Sequence, residues 1–185
     1  MTLAGWAALP EDVEGELVDG VLVDEEAADL THATVVAFLV QLLSAWLVPR
    51  GGFVFGSEAK FAVAPRRGRK PDVTAYLKGT RLPRRGIVTP PPHIAIEVVS
   101  PTARDGRRDR IDKPDDYAAF GVRFYWIVDP QQRSLEILEL GSDRRYVRAL
   151  GASDAVVEAV PGCEGLTIDL PALWAEIDRL EDAEE

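Results

Sequence analysis

The period of the apolar positions changes along the chain, and each change marks an element. From Glu16 to Glu26 the run ELVDGVLVDEE alternates apolar and polar residues about Asp19-Gly20. That dipeptide tolerates the positive φ angles of a tight turn, so an N-terminal β-hairpin is predicted. Before it, Met1 to Glu14 carries Trp6, Leu9 and Pro10 and reads as a short helix or turn. Between Thr31 and Val48 the pattern switches to helical spacing at Val35, Phe38, Leu39, Leu42, Leu43, Trp46 and Leu47, and Gly51-Gly52 ends it. This predicts a core-facing helix.

Strands are predicted at Phe53 to Phe55, Ala59 to Ala64, Val73 to Leu77, Ile94 to Val99, Phe124 to Asp129, Leu135 to Leu140 and Arg145 to Leu150. Arg107 to Phe120 reads as helical and is closed by Gly121 in the place of a C-terminal cap. GLTIDL and LPALWAEIDRL predict a last short strand and an amphipathic helix, before an acidic tail at 181–185. The succession describes an α/β (α+β) fold, a central mixed β-sheet flanked by helices. No repeat or linker composition divides the 185 residues, so one domain is expected over 1–185, with its core over about 10–175.

Composition narrows the setting. Cys163 is the only cysteine, which excludes an intrachain disulfide and a thiolate metal cluster and fits a cytoplasmic protein. The first residues lack the basic and apolar regions of a signal peptide. The apolar stretch Ala33 to Val48 contains Gln41 and Ser44 and is shorter than the roughly 20 residues of a membrane span. No membrane partner is expected.

The net charge of −10 argues against nucleic acid until its distribution is considered. From Lys60 to Lys113 the chain holds fourteen of its 21 Lys and Arg against five acids, a local +9 that leaves −19 elsewhere. Such a segment can face phosphates, or PRRGRK, RLPRR and RDGRRDR can be solvated loops.

Within this segment three residues carry pointed chemistry. Asp72 follows Pro71 at the start of one extended run, Glu97 lies inside the apolar run HIAIEVVS, and Lys113 stands beyond a basic stretch. An ionised carboxylate among Ile94, Ala95, Ile96, Val98 and Val99 is costly unless a cation or several donors satisfy it. Alternation puts Glu97 on the face of Ala95 and Val99, so its partner comes from another element. If the Asp72 and Glu97 runs are neighbours, two carboxylates, a main-chain carbonyl and waters make an oxygen-rich site suited to magnesium or manganese. Lys113 could then position a water or offset developing charge. The structural alternatives are a turn role for Asp72, an arginine partner for Glu97 and a solvated Lys113. Trp126, flanked by strand residues, reads as core.

The text KPDVTAYL, followed by PPHIAIEVVSPTARDGRRDRIDKPDDYAAFGVRFYWIVDPQQRSLEIL, resembles the Uma-two family of restriction endonucleases within the PD-(D/E)XK nuclease superfamily. ELVDG matches that family's N-terminal hairpin, so the resemblance runs over roughly residues 10–175. It implies a restriction-endonuclease-like core and a metal-dependent endonuclease acting on nucleic acid, DNA foremost. By this resemblance Asp72 and Glu97 are the metal ligands, with the Val98 carbonyl as a third contact. The superfamily lysine stands two residues after the glutamate, where this chain has Val99; in the family pattern a lysine of the following helix replaces it, and Lys113, four residues before Tyr117, matches. Glu16 and His32 match a family glutamate and a histidine opening the first long helix; an exposed hairpin charge and a helix-start residue are the alternatives.

Pro114 bears on Lys113. Proline disfavours the α conformation of its predecessor, so the helix is expected to begin near Pro114 with Asp115 and Asp116 in its first turn. Lys113 then sits at the helix entrance, where Arg107, Arg108 or Arg110 could compete for Glu97. Ser100 and Thr102 read as helix caps. Two further functions stay open: a nuclease fold that binds nucleic acid without cutting, and an acidic protein with a basic partner. A homodimer would suit the cutting of two strands.

Overall fold

The computed structural model describes residues 1–10, 13, 15–24, 29–100 and 108–181, with Arg108 and Asp109 as backbone only. Helix α1 (Leu3–Ala7) is capped by Thr2, whose Oγ1 accepts from the Gly5 amide at 3.1 Å. It carries Trp6 into the interior, where the indole N–H donates to the Gly15 carbonyl at 3.0 Å. The hairpin β1 (Glu16–Val18) and β2 (Val21–Val23) turns at Asp19 and Gly20, with φ of 51° and 84°. Helix α2 (Leu30–Leu47) begins at Asp29, whose carboxylate accepts from the His32 amide at 2.7 Å.

After a 3-10 turn come β3 (Phe53–Phe55), β4 (Phe61–Ala64), β5 (Arg67–Arg69), β6 (Val73–Tyr76) and β7 (Ile94–Val98). A π-helical turn at Arg108–Asp112 runs into α3 (Lys113–Phe120). The chain finishes with β8 (Phe124–Asp129), β9 (Ser134–Leu140), β10 (Tyr146–Ala152), β11 (Val156–Val157), β12 (Ile168–Asp169) and α4 (Leu170–Ile177).

The expected mixed sheet has the order β10-β9-β8-β7-β6-β3, and its β7–β8 pair is parallel while the others are antiparallel. A parallel neighbour requires a crossover, and the segment containing α3 supplies it. Alternation along β7 divides the core. Ile94, Ile96 and Val98 join Val73, Ala75, α2 and α4 on one face; Ala95 and Val99 join Tyr76, Tyr117, Tyr125 and Phe61 on the other. Glu97 therefore projects to the side of α3.

A second sheet, β2-β1-β5-β4, was not foreseen. The basic text PRRGRK turns at Arg66, with φ of 64°, and returns as β5 rather than forming a solvated loop. Tertiary carboxylates neutralise Arg67 and Arg69, and local charge density gives no sign of them. Strand β10 reaches Ala152, and β11 adds a short pair with β12. With its 3-10 turn, Leu30–Arg50 spans 21 residues and is long and apolar enough to cross a bilayer, longer than the apolar stretch read from the sequence. Its Val35, Leu39, Leu43, Trp46 and Leu47 pack into the protein core. Thr102 and Arg107 lie outside the described residues.

Candidate active site

Strands β6 and β7 are antiparallel neighbours in which Val73 faces Ile96. Continued by one residue, this register sets Asp72 opposite Glu97, and opposed residues direct their side chains to one face. Asp72 Oδ2 accepts from the Val98 amide at 2.7 Å and lies 3.2 Å from His32 Nε2. The latter contact is an ion pair with imidazolium and a hydrogen bond with the neutral Nε2–H tautomer. Asp72 keeps 14% of its side chain exposed, so this end of the sheet opens to solvent.

Glu97 is 2% exposed and has a donor on each oxygen. Lys113 Nζ donates to Oε2 at 2.7 Å, and the Tyr117 hydroxyl donates to Oε1 at 2.5 Å. Lys113 and Tyr117 stand four residues apart on α3 and so share a face. Lys113 is the first α-helical residue and Pro114 the second, but the π-helical turn Arg108–Asp112 runs directly into them. Lys113 therefore sits within a continuous helical segment and not at the helix entrance expected from Pro114, and its reach to Glu97 holds. Arg110 instead pairs with Asp129 at 3.0 Å and approaches Glu136 at 3.8 Å. Val99, at the usual lysine position, packs with Tyr117 and Tyr125.

The exposed-charge reading of Glu16 is overturned, since its residue is 0% exposed. Its carboxylate accepts from Arg69 Nη1 at 2.6 Å and from the Lys70 amide at 2.9 Å. Arg69 is itself buried and also donates to Asp116 Oδ2, at 2.9 Å from Nε and 2.6 Å from Nη2. Arg67 joins Asp116 to Asp19. The chain of charges from hairpin to β5 to α3 clamps the helix that presents Lys113 and Tyr117. Arg67, Arg69 and Arg110 are thus paired internally, which reduces the unpaired basic surface inferred from charge.

Burial alone would push the Glu16 carboxyl up, but the charges of Lys113 and Arg69 and the Lys70 amide bring it below its usual value. Arg69 is desolvated, yet Glu16 and Asp116 hold its guanidinium firmly protonated. Burial, then the Glu97 and Glu16 charges, raises Tyr117 well above an ordinary phenol, so it remains a donor to Glu97.

Sequence reasoning passed over Arg69, Asp116 and Tyr117 as site residues. A faint signal existed: Arg67 and Arg69 have strand spacing, while Asp116 and Tyr117 lie three and four residues after Lys113.

Asp72 and Glu97 are the two carboxylates this end of the sheet offers, and both Glu97 oxygens are already occupied by Lys113 and Tyr117. Among the described residues no group of three or more His, Cys, Asp or Glu side chains is arranged to hold a metal. Magnesium commonly uses one or two carboxylates and completes its shell with water and substrate phosphate.

Three comparisons bear on this arrangement. A family model, Uma2, described as "Putative restriction endonuclease", matches residues 4–171. No curated protein matches the chain. Among solved structures, one described as "a putative nuclease belonging to DUF820" from Anabaena variabilis superposes with a TM-score of 0.76 at 18% identity. The match covers 96% of this chain and 99% of that one, and it shows the shared fold. The family match extends from α1 into α4, across both sheets and every residue of the buried charge network, and this chain therefore belongs to the Uma2 family.

Proposed function

We propose that this protein is a magnesium- or manganese-dependent endonuclease that hydrolyses phosphodiester bonds in nucleic acid, DNA foremost. The observation that carries the reading is the approach of Asp72, just before β6, to β7, where it accepts from the Val98 amide next to Glu97, with Lys113 Nζ 2.7 Å from Glu97. Asp72, Glu97 and the Val98 carbonyl would hold the ion. When bound, such an ion supplies positive charge beside a phosphoryl oxygen and a water of lowered pKa. Asp72 is oriented by the Val98 amide and His32, and Glu97 by Lys113 and Tyr117. Lys113 offsets negative charge at the scissile phosphate and can orient the attacking water. The buried cysteine suits a cytoplasmic setting, and two copies would serve two strands.

The test is plasmid cleavage in magnesium or manganese, with manganese binding measured by calorimetry. Asp72→Ala and Glu97→Ala should each lower cleavage by about a hundredfold or more. Unchanged cleavage in both variants overturns the assignment. One observation favours a second reading, a binding module without turnover: Glu97 has a donor on both oxygens and is nearly excluded from solvent. Salt-sensitive nucleic-acid binding with no cleavage in any divalent metal would establish that reading.

A further inference from the structure

Strand β3 lies at the edge of the six-stranded sheet, and its two phenylalanines are not covered. Phe53 is 48% exposed and Phe55 39% exposed, with ring centroids 6.1 Å apart and planes within 11°. Val54 between them points to the core, and Phe55 meets Tyr76 edge-on at 6.2 Å. The rings are held in place by the sheet. Exposed apolar rings held on an edge strand offer a contact surface.

The neighbouring loop is basic. Lys78, Arg81, Arg84 and Arg85 are exposed, and the sequence from Leu77 to Val88 has no acid. Arg84 and Arg85 line a cleft with Phe55, Phe61 and Tyr76, into which one acid, Glu58, also faces. Neither arginine makes an ion pair among the described residues, unlike Arg67, Arg69 and Arg110.

We infer that the Phe53–Phe55 platform and the Arg84–Arg85 loop form a subsite for unpaired nucleotides of the substrate. Aromatic faces beside guanidinium groups suit a polyanion whose bases can be stacked, and only unpaired bases offer their faces. A second copy of this chain on the same edge would bring two sets of four cations together, which charge disfavours.

The position ties the subsite to the proposed centre, and to that extent it rests on the nuclease reading. Phe55 is in register with Thr74, and both Phe residues lie on the face of Glu97. A Cβ on Gly56 would stand 4.0 Å from the Asp72 carbonyl oxygen. From strand rise and spacing, Phe55 and Asp72 are roughly 8 Å apart at Cα, so one bound strand can reach both. The substrate class that follows is single-stranded or junction-containing nucleic acid.

The test is equilibrium binding without divalent metal, by anisotropy of a labelled oligothymidylate and of a duplex of equal length. Wild type should bind the single strand more tightly, and Phe53→Leu/Phe55→Leu should weaken it about tenfold or more while sparing the duplex. Leucine preserves apolar volume and removes the ring face. Arg84→Gln/Arg85→Gln should reduce the salt dependence of binding by about one to two ions. A second measurement needs no ring variant: 2-aminopurine in the oligonucleotide should change fluorescence on binding wild type. Equal single-strand affinity in the leucine variant, no 2-aminopurine response, or an effect of the leucines on self-association alone would each overturn the inference. Wild type that binds single strands by these measures and cuts nothing overturns the nuclease reading alone. Wild type that cuts DNA while the leucine variant binds normally overturns this inference alone.

Discussion

Lys113 Nζ lies 2.7 Å from Glu97 Oε2, and the two side chains are 7% and 3% exposed. The ammonium paired with Glu97 comes from the first residue of α3, sixteen residues later in the chain. Val99, just past the end of β7, belongs to the buried cluster that includes Tyr125.

Removing one partner of a buried pair leaves the other charge uncompensated. Lys113→Met should cost about 3–5 kcal/mol in urea unfolding, and Lys113→Met/Glu97→Gln should recover much of it. A double variant as unstable as the single one would show that the pair is not the source.

Glu16 has a carboxyl pKa lowered by folding, through Lys113, Arg69 and the Lys70 amide, against the opposing effect of burial. Its stabilisation is complete above the ordinary carboxylate pKa of about 4.5 and is lost as pH falls through the lower folded value. Glu16→Gln should lower stability at neutral pH and flatten the stability curve below that pH. Thermal unfolding between neutral and strongly acidic buffers checks it; curves of equal slope would contradict it.

Tyr117 behaves in the opposite sense. Its folded pKa lies well above 10, so above that pH the unfolded chain releases a proton that the folded chain retains. Stability should fall with rising pH in the alkaline range, and Tyr117→Phe should remove that part of the fall. Denaturation midpoints measured at alkaline pH for both proteins decide this.

The Cys163 thiol is buried, and burial pushes its pKa up to about 12. At pH 8 the folded protein should react with a thiol reagent far more slowly than the denatured protein. A native rate matching the denatured one would refute this.

At Gly68 a Cβ would lie 2.3 Å from the Trp6 ring, and Gly68 shares β5 with Arg69. Gly68→Ala should destabilise by about 1–3 kcal/mol through overpacking. For a chain of this length each kcal/mol corresponds to about 2–4 °C in Tm. Calorimetry reads the shift, and shifted indole emission should accompany it.

The hairpin at Asp19-Gly20, the helix through Leu39 and Leu43, and the strands carrying Asp72 and Glu97 were legible because each is signalled within a short window. Positive-φ residues mark the turn, and apolar period marks helix and strand. The need of Glu97 for partners was legible because a carboxylate in an apolar run calls for an ion or donors. Strand β5 was not, because Arg67 and Arg69 resemble a solvated run until the opposing acids are known. Glu16 lies 53 residues from Arg69, and Asp116 lies 47 residues away on the other side.

By itself the sequence determined the order of the elements other than β5 and β11, the face on which Glu97 projects and the need for a partner to its charge. Those follow from alternation and solvation, which act over a few residues. Tertiary structure alone decided that the partner is Lys113 with Tyr117, that Glu16 and Asp116 neutralise Arg69, and that Phe53 and Phe55 stay uncovered at an edge. Burial and the pairing of distant charges depend on which elements pack together, and no local pattern encodes that distance.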